Sequence, residues 1–258
     1  MYRLEREDFV KFPYVLLWSG LAFQAGFINA FGFLACGKYV SHVTGFGTQI
    51  GVALADHEIM VGIELLSFPA SFILGSFVSG LFTSARLERN EVPLYGFITS
   101  LLPIMIAAVW LSGSWGAFGF FGERLLLPQD FILLFLLSFI CGMQNGCYAT
   151  LTKGQIRTTH LTGISTDIGT DLARMLFGNL SKSEYELTRR TNLSRIMTFS
   201  AFAIGSVVCV VCGKQFGYSA LLVPFATAVM ACMMIRKIHI MLNERFKKTI
   251  SLRMAANT

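Results

Sequence analysis

The chain has 258 residues, of which 54% are hydrophobic and only 14% carry a charge. A typical soluble domain has about 25% charged residues, so this composition, with a mean hydropathy of +0.61, excludes a secreted disulfide scaffold, a disordered chain and a nucleic-acid-binding domain. It indicates a chain dissolved in lipid, and the net charge of +6 is interpreted as a signal of membrane orientation.

Six apolar stretches are long enough to cross a bilayer, which takes about 20 mostly apolar residues for about 30 Å of hydrocarbon. The first is interpreted as a span rather than a signal peptide, because it follows a segment of mixed charge and no small-residue cleavage site stands out. The pattern predicts an all-α integral membrane protein, a single membrane domain over residues 1–258. Its six transmembrane helices are expected at about 12–35, 59–84, 94–112, 131–151, 196–213 and 216–235.

Lys and Arg are distributed unequally between the two faces of this six-span arrangement. The N-terminus, the second and fourth loops and the C-terminal tail hold 18 of the 21 basic residues, and the opposite face holds Lys38, Arg124 and Lys214. Because cytoplasmic loops carry the excess of basic residues, both termini are predicted to be cytoplasmic. The basic tail, 237–258, either lies on the inner leaflet as a helix or extends the last span into solvent.

An internal repeat relates two halves of the chain, about 12–122 and 130–236. TGFGTQIGVALA from Thr44 and TGISTDIGTDLA from Thr162 agree at seven of twelve positions, and His42 and His160 precede them at the same spacing. The other correspondences pair Gly26 with Gly142, Asn29 with Asn145, Gly75 with Gly205 and Pro103 with Pro224. Each half has three spans, an odd number, so the two halves are predicted to be inverted three-helix repeats, as in many transporters and channels.

The repeated Thr-Gly segments are too short to span. As a helix, residues 44–55 would be about 18 Å long, which is enough to reach the midplane. Thr44 and Thr162 are expected as N-caps, and the first amides of such a helix are unpaired donors at a positive dipole end, suited to an anion or a polar ligand. Two interpretations stay open: re-entrant half-helices from opposite faces, or surface loops that each precede an interfacial helix.

Polar residues within the spans recur with the repeat. Gln24 lies with Asn29 in the first span, and Gln144 with Asn145 in the fourth. Such side chains face the bundle interior or a wet cavity, where they either line a site or form interhelical hydrogen bonds of about 1 kcal/mol each. The predicted substrate-binding residues are Asn29, Thr44, Gly45, Gln144, Asn145, Thr162, Gly163 and Asp167.

Few charged residues interrupt the apolar pattern. Asp167 and Asp171 are spaced i, i+4 with Arg174 three residues later, so a helix would place all three on one face. They are interpreted as a structural ion pair, with a coupling-ion role as the alternative. Glu64, near the start of the second span, is either an interfacial residue or a proton carrier.

No pattern indicates a catalytic residue, a metal site or a cofactor, so the chain is not expected to be an enzyme. His42 and His160 are expected on opposite faces, where they could not share a metal. Cys209 and Cys212 lie in an apolar span without further ligands and are interpreted as small core residues. Nothing resembles a Walker loop, a dinucleotide fingerprint, a nucleophile elbow or paired catalytic carboxylates.

Two motif regions resemble the YoaK-like family of bacterial multi-pass membrane proteins of unknown function. The first reads Gly26-Phe-Ile-Asn29-Ala-Phe-Gly-Phe33 followed by Val43-Thr-Gly-Phe46, and the second reads Gly142-Met-Gln-Asn-Gly146 followed by Thr158-Thr-His-Leu-Thr-Gly163. The chain departs from the family where Asn29 replaces the usual Asp and Phe46 the usual Asn. The resemblance covers about residues 12–236 and implies a bacterial cytoplasmic-membrane location and a suspected small-molecule transporter.

Two functions remain in competition. The first is a transporter or channel for a small solute or ion, with a site at the interface of the two inverted repeats. The alternative is a non-transporting assembly or sensor protein whose repeat reflects only duplication. The expected partners are the lipid bilayer and an unidentified small solute, without nucleic acid, and a homo-oligomer is left open.

Overall fold

The structure is a computed structural model that describes residues 3–4, 6–122, 128–155 and 158–255, without the side chains of residues 6, 9, 128–130 and 245–255. Every secondary-structure element in this part of the chain is helical. The helices are α1 (Arg6–Phe9), α2 (Phe12–Cys36), α3 (Val43–Ala55), α4 (Ile59–Phe82), α5 (Ser84–Glu88), α6 (Tyr95–Ser114), α7 (Pro128–Leu151), α8 (Leu161–Phe177), α9 (Lys182–Phe216) and α10 (Leu222–Ala255). A 3-10 turn, Gly217–Leu221, joins α9 to α10.

Apolar helices dominate the described residues and suggest a membrane-embedded protein. Five stretches are long and apolar enough to cross a membrane, against six predicted spans. They are Phe12–Cys36, Ile59–Glu88, Tyr95–Ser114, Phe131–Leu151 and Lys182–Glu244. The last runs over 63 residues and contains α9 and the part of α10 up to Glu244, so the fifth and sixth predicted spans fall within one stretch.

Local sequence explains where several helices begin and end. Gly37 adopts the left-handed conformation (φ 72°) and donates its N–H to the carbonyl oxygen of Phe33, which ends α2. Gly217, with φ 55°, ends α9. Ser181 and Glu184 form a reciprocal capping box that begins α9, so the polar stretch before the predicted fifth span is helical and continuous with it.

Two helix crossings form the centre of the bundle, between α2 and α9 and between α4 and α7. A methyl group added at Gly26 would overlap the backbone carbonyl oxygen of Phe202, and one added at Gly205 would overlap that of Phe23. Ser206 also donates its hydroxyl to the carbonyl oxygen of Gly26 at 3.1 Å. Only glycine therefore permits the backbones of α2 and α9 to approach this closely.

The crossing of α4 and α7 repeats these contacts. A methyl group at Gly142 would overlap the carbonyl oxygen of Phe72, and one at Gly75 would overlap that of Phe139. Ser76 donates its hydroxyl to the carbonyl oxygen of Gly142 at 2.8 Å. Each of these five residues has its counterpart at the matching repeat position of the first crossing.

The contacts also fix helix directions. The N–H of Leu4, ahead of α1, donates to the carbonyl oxygen of Leu151 at the end of α7. Trp18, in the second turn of α2, contacts Tyr148 in the last turn of α7, so α2 and α7 run antiparallel. Helix α6 packs against α10, where a methyl group at Gly113 would overlap the ring of Tyr218. At the other end of α6, Tyr95 contacts His239 edge to face, which makes this pair antiparallel as well.

The C-terminal tail continues the last helix. Helix α10 runs without a break to Ala255, and residues 256–258 lie outside the described set. Of the apolar residues in the tail, Ile238 and Leu242 are buried, whereas the side chains of Phe246 and Ile250 lie outside the described set. Arg124 of the predicted external loops also lies outside it.

Candidate functional site

The loop after α2 turns back to the middle of the bundle before α3 begins. Asn29 Oδ1 accepts hydrogen bonds from the N–H groups of Val40 and Ser41, both at 3.0 Å, and from the Ser41 hydroxyl at 3.2 Å. The carbonyl oxygen of Val40 accepts from the hydroxyl of Ser138 at 3.0 Å, near the middle of the 24-residue helix α7. Helix α3 therefore starts at mid-depth.

The loop after α7 also turns back, from the opposite end of the bundle. Thr158 is buried and its hydroxyl accepts from Gln144 Nε2 at 3.1 Å. The Oε1 atom of Gln144 accepts from Nε2 of Gln24 at 2.9 Å, and Gln24 lies at the centre of the 25-residue helix α2. Thr227 of α10 donates to Gln24 Oε1 at 3.0 Å, so this buried network joins three long helices to the second loop.

A cavity of about 410 Å³ lies where the two short helices begin. Each helix contributes its N-cap histidine and first two residues. The first half adds Asn29, Tyr39 and Ser41, and the second adds Thr159 and Phe202. The lining residues from the two helix starts are His42, Val43, Thr44, His160, Leu161 and Thr162.

Histidines, rather than the expected threonines, occupy the N-cap positions. His42 caps α3 with φ −86° and ψ 62°, and His160 caps α8 with φ −102° and ψ 69°. Thr44 and Thr162 lie two residues further on, inside the first turn. The N-cap prediction was wrong because helical geometry already begins at Val43 and Leu161, one residue before each Thr-Gly pair.

The two histidines also lie closer to a common site than the sequence indicated. The sequence predicted that the two histidines lie in loops on opposite faces, but His42 and His160 both line the same cavity. The expectation was wrong because each loop folds inward, which hydropathy does not reveal for such short segments. Among the described residues, no group of three or more His, Cys, Asp or Glu side chains is placed to hold a metal ion.

Three of the eight predicted site residues line the cavity: Asn29, Thr44 and Thr162. Gly45 lies one residue beyond Thr44, and a methyl group there would overlap the imidazole of His42, so glycine makes room for that ring. Gly163, its counterpart, has open space where a Cβ would lie, so no such constraint applies there.

The remaining three predicted residues do not line the cavity. Gln144 is buried in the polar network that anchors Thr158. Asn145 is 8% exposed, and within the described residues its Oδ1 atom has no hydrogen-bond partner. Asp167 lies in the second turn of α8, where its half-exposed carboxylate pairs with Arg195 at 3.0 Å.

An ion network fastens α8 to α9. The predicted pair between Asp171 and Arg174 is confirmed at 2.9 Å. Sequence reasoning missed Arg195, which reaches across from α9 to Asp171 at 2.6 Å and to Asp167 at 3.0 Å. Glu64, the other acid considered, is exposed on α4 and lies away from the cavity.

Besides the two histidines, six cavity residues were not among the predicted site residues: Tyr39, Ser41, Val43, Thr159, Leu161 and Phe202. The repeat itself contained a signal for Ser41 and Thr159, because both immediately precede a histidine at corresponding positions. Phe202 lies at the crossing with Gly26, and only the packing of α2 against α9 brings it to the cavity. Tyr39 stacks on Phe33 with ring centroids 4.8 Å apart.

Comparison with known proteins gives a family but no activity. No curated protein and no solved structure matches the chain. A family model described as "Protein of unknown function (DUF1275)" matches residues 17–234, and the resemblance to YoaK-like proteins is compatible with that match. Because the match covers most of the chain, including both short helices and the cavity, this protein belongs to the DUF1275 family.

Proposed function

We propose that this protein transports or conducts a small solute across the bacterial cytoplasmic membrane, through a pathway that includes the cavity between the two short helices. The observation that carries the proposal is the meeting of two equivalent helix starts, His-Val-Thr and His-Leu-Thr, around one cavity. Transporters with inverted repeats commonly place their site at the repeat interface near the midplane, where discontinuous helices begin. The proposal assigns no catalytic step to the cavity.

The proposed membrane architecture has six spans in two inverted repeats, with both termini cytoplasmic. An inverted repeat requires each helix to run antiparallel to its counterpart, and the contacts between α2 and α7 and between α6 and α10 agree with this. The matched glycine crossings supply further support. The fifth apolar stretch would supply two spans, because the turn at Gly217 separates α9 from α10.

Re-entry of α3 and α8 is the second part of the proposed architecture. At 13 and 17 residues they would be about 20 and 26 Å long, short of the hydrocarbon thickness. Non-helical backbone at membrane depth is tolerated only where it is buried in protein or lines a cavity. Among the described loop residues, Val40 and Thr158 are buried and Ser41, His42, Thr159 and His160 line the cavity, which supports re-entry.

Flux into liposomes tests the function. Purified protein is reconstituted and assayed with a panel of small anions, neutral solutes and cations. Thr44→Val and Thr162→Val each remove a cavity hydroxyl with little change in shape, and we expect each to reduce the flux of the transported solute several-fold. Thr48→Val and Thr170→Val are matched controls, because these exposed hydroxyls bond within their own helices.

The outcomes separate transport from the alternative function. Flux that falls in the cavity variants and persists in the controls supports transport through this cavity. Undiminished flux in both cavity variants would remove the site assignment. Absence of flux for every solute, with folded protein in the liposomes, would favour a non-transporting assembly or sensor protein.

A further inference from the structure

We propose that the cavity between α3 and α8 selects a small monovalent oxyanion over cations and neutral solutes. This inference rests on the proposed transport function and adds the chemical class of the solute. Three properties of the cavity support it: backbone donors at two helix starts, polar side chains that can each donate a hydrogen bond, and, among the described lining residues, no Asp or Glu.

The backbone donors come from the first turns of both short helices. In α3 the first intrahelical bond runs from the N–H of Phe46 to the carbonyl oxygen of His42, so the N–H groups of residues 43–45 precede it. In α8 the corresponding bond runs from Ile164 to His160, and residues 161–163 precede it. Among the described residues, no side chain caps either helix start, so these amides remain donors for a ligand.

The charge of the ligand follows from the two helix dipoles. Each helix N-terminus acts as roughly half a positive charge, so two that face one cavity supply about one positive charge. No Lys or Arg is present among the described lining residues, so a divalent anion would lack a second positive charge. Asp167, the acid in the second turn of α8, is paired with Arg195, which reduces its repulsion of an anion.

The side chains add donors in the same space. Oδ1 of Asn29 already accepts three hydrogen bonds from residues 40 and 41, so Nδ2 is the group that Asn29 can still offer a ligand. Thr159 also lines the cavity, and its buried Oγ1 has no hydrogen-bond partner within the described residues. Thr44 and Thr162 contribute hydroxyls, and His42 and His160 contribute imidazoles.

The size and the apolar part of the lining limit the ligand further. A volume of about 410 Å³ is near the lower end of the roughly 300–1,000 Å³ range of small-molecule sites. Val43, Leu161 and Phe202 form an apolar wall, which disfavours a strongly hydrated ion. A planar oxyanion such as nitrate can place its oxygens on the two helix starts and its face against that wall.

Solute selectivity in proteoliposomes tests the inference directly. Wild-type protein is assayed with nitrate, urea and potassium at matched gradients, and we expect nitrate flux at least tenfold above the other two. Urea or potassium flux without nitrate flux would overturn the anion inference while leaving transport intact. Absence of all three, when other solutes in the panel do cross, also overturns it, whereas absence of flux for the whole panel counts against transport itself.

Two variants test the helix starts. Leu161→Pro removes one cavity amide without breaking an intrahelical bond, because proline is accepted at the first helical position, and we expect a several-fold loss of nitrate flux. Lys182→Pro makes the same change at the start of α9, away from the cavity, and should leave flux unchanged. Equal flux in wild type and Leu161→Pro would count against the helix starts as the binding groups.

Added charge gives a readout that does not depend on helix geometry. Thr162→Asp places a carboxylate in the cavity and should abolish nitrate flux, whereas Thr170→Asp, on an exposed face of the same helix, should not. Thermal unfolding of the detergent-solubilised wild type gives a second measurement, since nitrate should raise the unfolding temperature above that in chloride at equal ionic strength and Thr162→Asp should lose this shift. Nitrate flux that survives Thr162→Asp, or an equal shift with both salts, overturns the inference.

Discussion

Four glycines decide how closely the long helices approach. At Gly26, Gly75, Gly142 and Gly205 a methyl group would overlap a backbone carbonyl oxygen of the facing helix. A clash with backbone atoms differs from a clash with a flexible side chain, because it is relieved only when a whole helix moves. Gly20 lies on the same helix as Gly26 but has open space where a Cβ would lie. Close helix contact therefore requires glycine at position 26 and not at position 20.

Alanine at Gly26 should therefore destabilise the protein strongly. We expect Gly26→Ala to lower the free energy of unfolding by at least the about 1–3 kcal/mol typical of overpacked cores, measured as a lower unfolding temperature in detergent. Gly20→Ala is the matched control and should be neutral or stabilising by about 0.5–1 kcal/mol, because alanine is the better helix former. Equal unfolding temperatures for the two variants would contradict the close crossing of α2 and α9.

The two short helices are attached to the bundle by different forces. Helix α3 packs on α4 through apolar contacts, including Phe46 against Phe68 with ring centroids 5.1 Å apart. Helix α8 is held on α9 by Arg195 and two aspartates. The side chains of Arg195 and Asp171 are only 15% and 9% exposed, so this pair lies in a region of low dielectric, where loss of one partner leaves a poorly solvated charge.

Removal of Arg195 should loosen α8 without affecting α3. Loss of one partner from a buried pair costs about 3–5 kcal/mol, and we expect Arg195→Gln to fall toward the lower end because Asp167 is half exposed. A loss of about 3 kcal/mol corresponds to roughly a hundredfold in an opening equilibrium. Hydrogen exchange should therefore become faster by that order in α8 and remain unchanged in α3. Arg190→Gln is the control on the same helix, since its partner Glu186 is exposed and keeps a hydrogen bond from Arg189. Equally faster exchange in both variants would show that α8 does not depend on the buried pair.

The charged end of α9 should keep its ion pairs over the pH range of such measurements. Hydrogen bonds from Arg189 and Arg190 lower the pKa of Glu186 to about 2. Because the pKa is depressed in the folded protein, the pairs are present above the unfolded value of about 4.3 and are lost only as the pH falls toward 2. Exchange experiments near neutral pH therefore compare the two arginine variants with Glu186 ionised in both.

At the scale of the whole molecule, hydropathy predicted the long helices well and the site only in part. The predicted spans 12–35 and 59–84 correspond to α2 and α4 within two residues at each end, because a long apolar run has no other stable form in lipid. Helix α9 extends beyond the predicted span 196–213 at both ends, since a polar extension that starts at Lys182 also forms helix. Polarity marks the membrane boundary but not the end of a helix.

The cavity was less predictable from the sequence than the long helices were. It depends on how deeply the loops before α3 and α8 enter the bundle, and not on composition. The repeat identified Thr44, Thr162 and Asn29, which do line it. It could not show that the loops before α3 and α8 fold inward from opposite ends, and so the two histidines were assigned to separate faces. Arg195 was missed for a similar reason, because its partners lie on another helix and no local spacing relates them.

Insertion of a reporter tests the orientation of the proposed inverted repeats. The exposed turn at His57, between α3 and α4, should face the periplasm, and the exposed turn at Asn179, between α8 and α9, should face the cytoplasm. Both sites lie in turns with exposed residues, whereas the loop at Val40 is buried and would not tolerate an insertion. Periplasm-active alkaline phosphatase should therefore be active at His57 and silent at Asn179.

A cytoplasm-active fluorescent protein at the same two sites should give the complementary pattern. The two turns follow equivalent half-helices, so parallel repeats would place them on the same face and give the same signal at both. Opposite signals require an odd number of crossings between His57 and Asn179, which α4, α6 and α7 supply as three. The same signal at both sites would overturn the inverted arrangement. A reversed pattern would overturn the assignment of the termini to the cytoplasm. Neither outcome depends on which solute the cavity accepts.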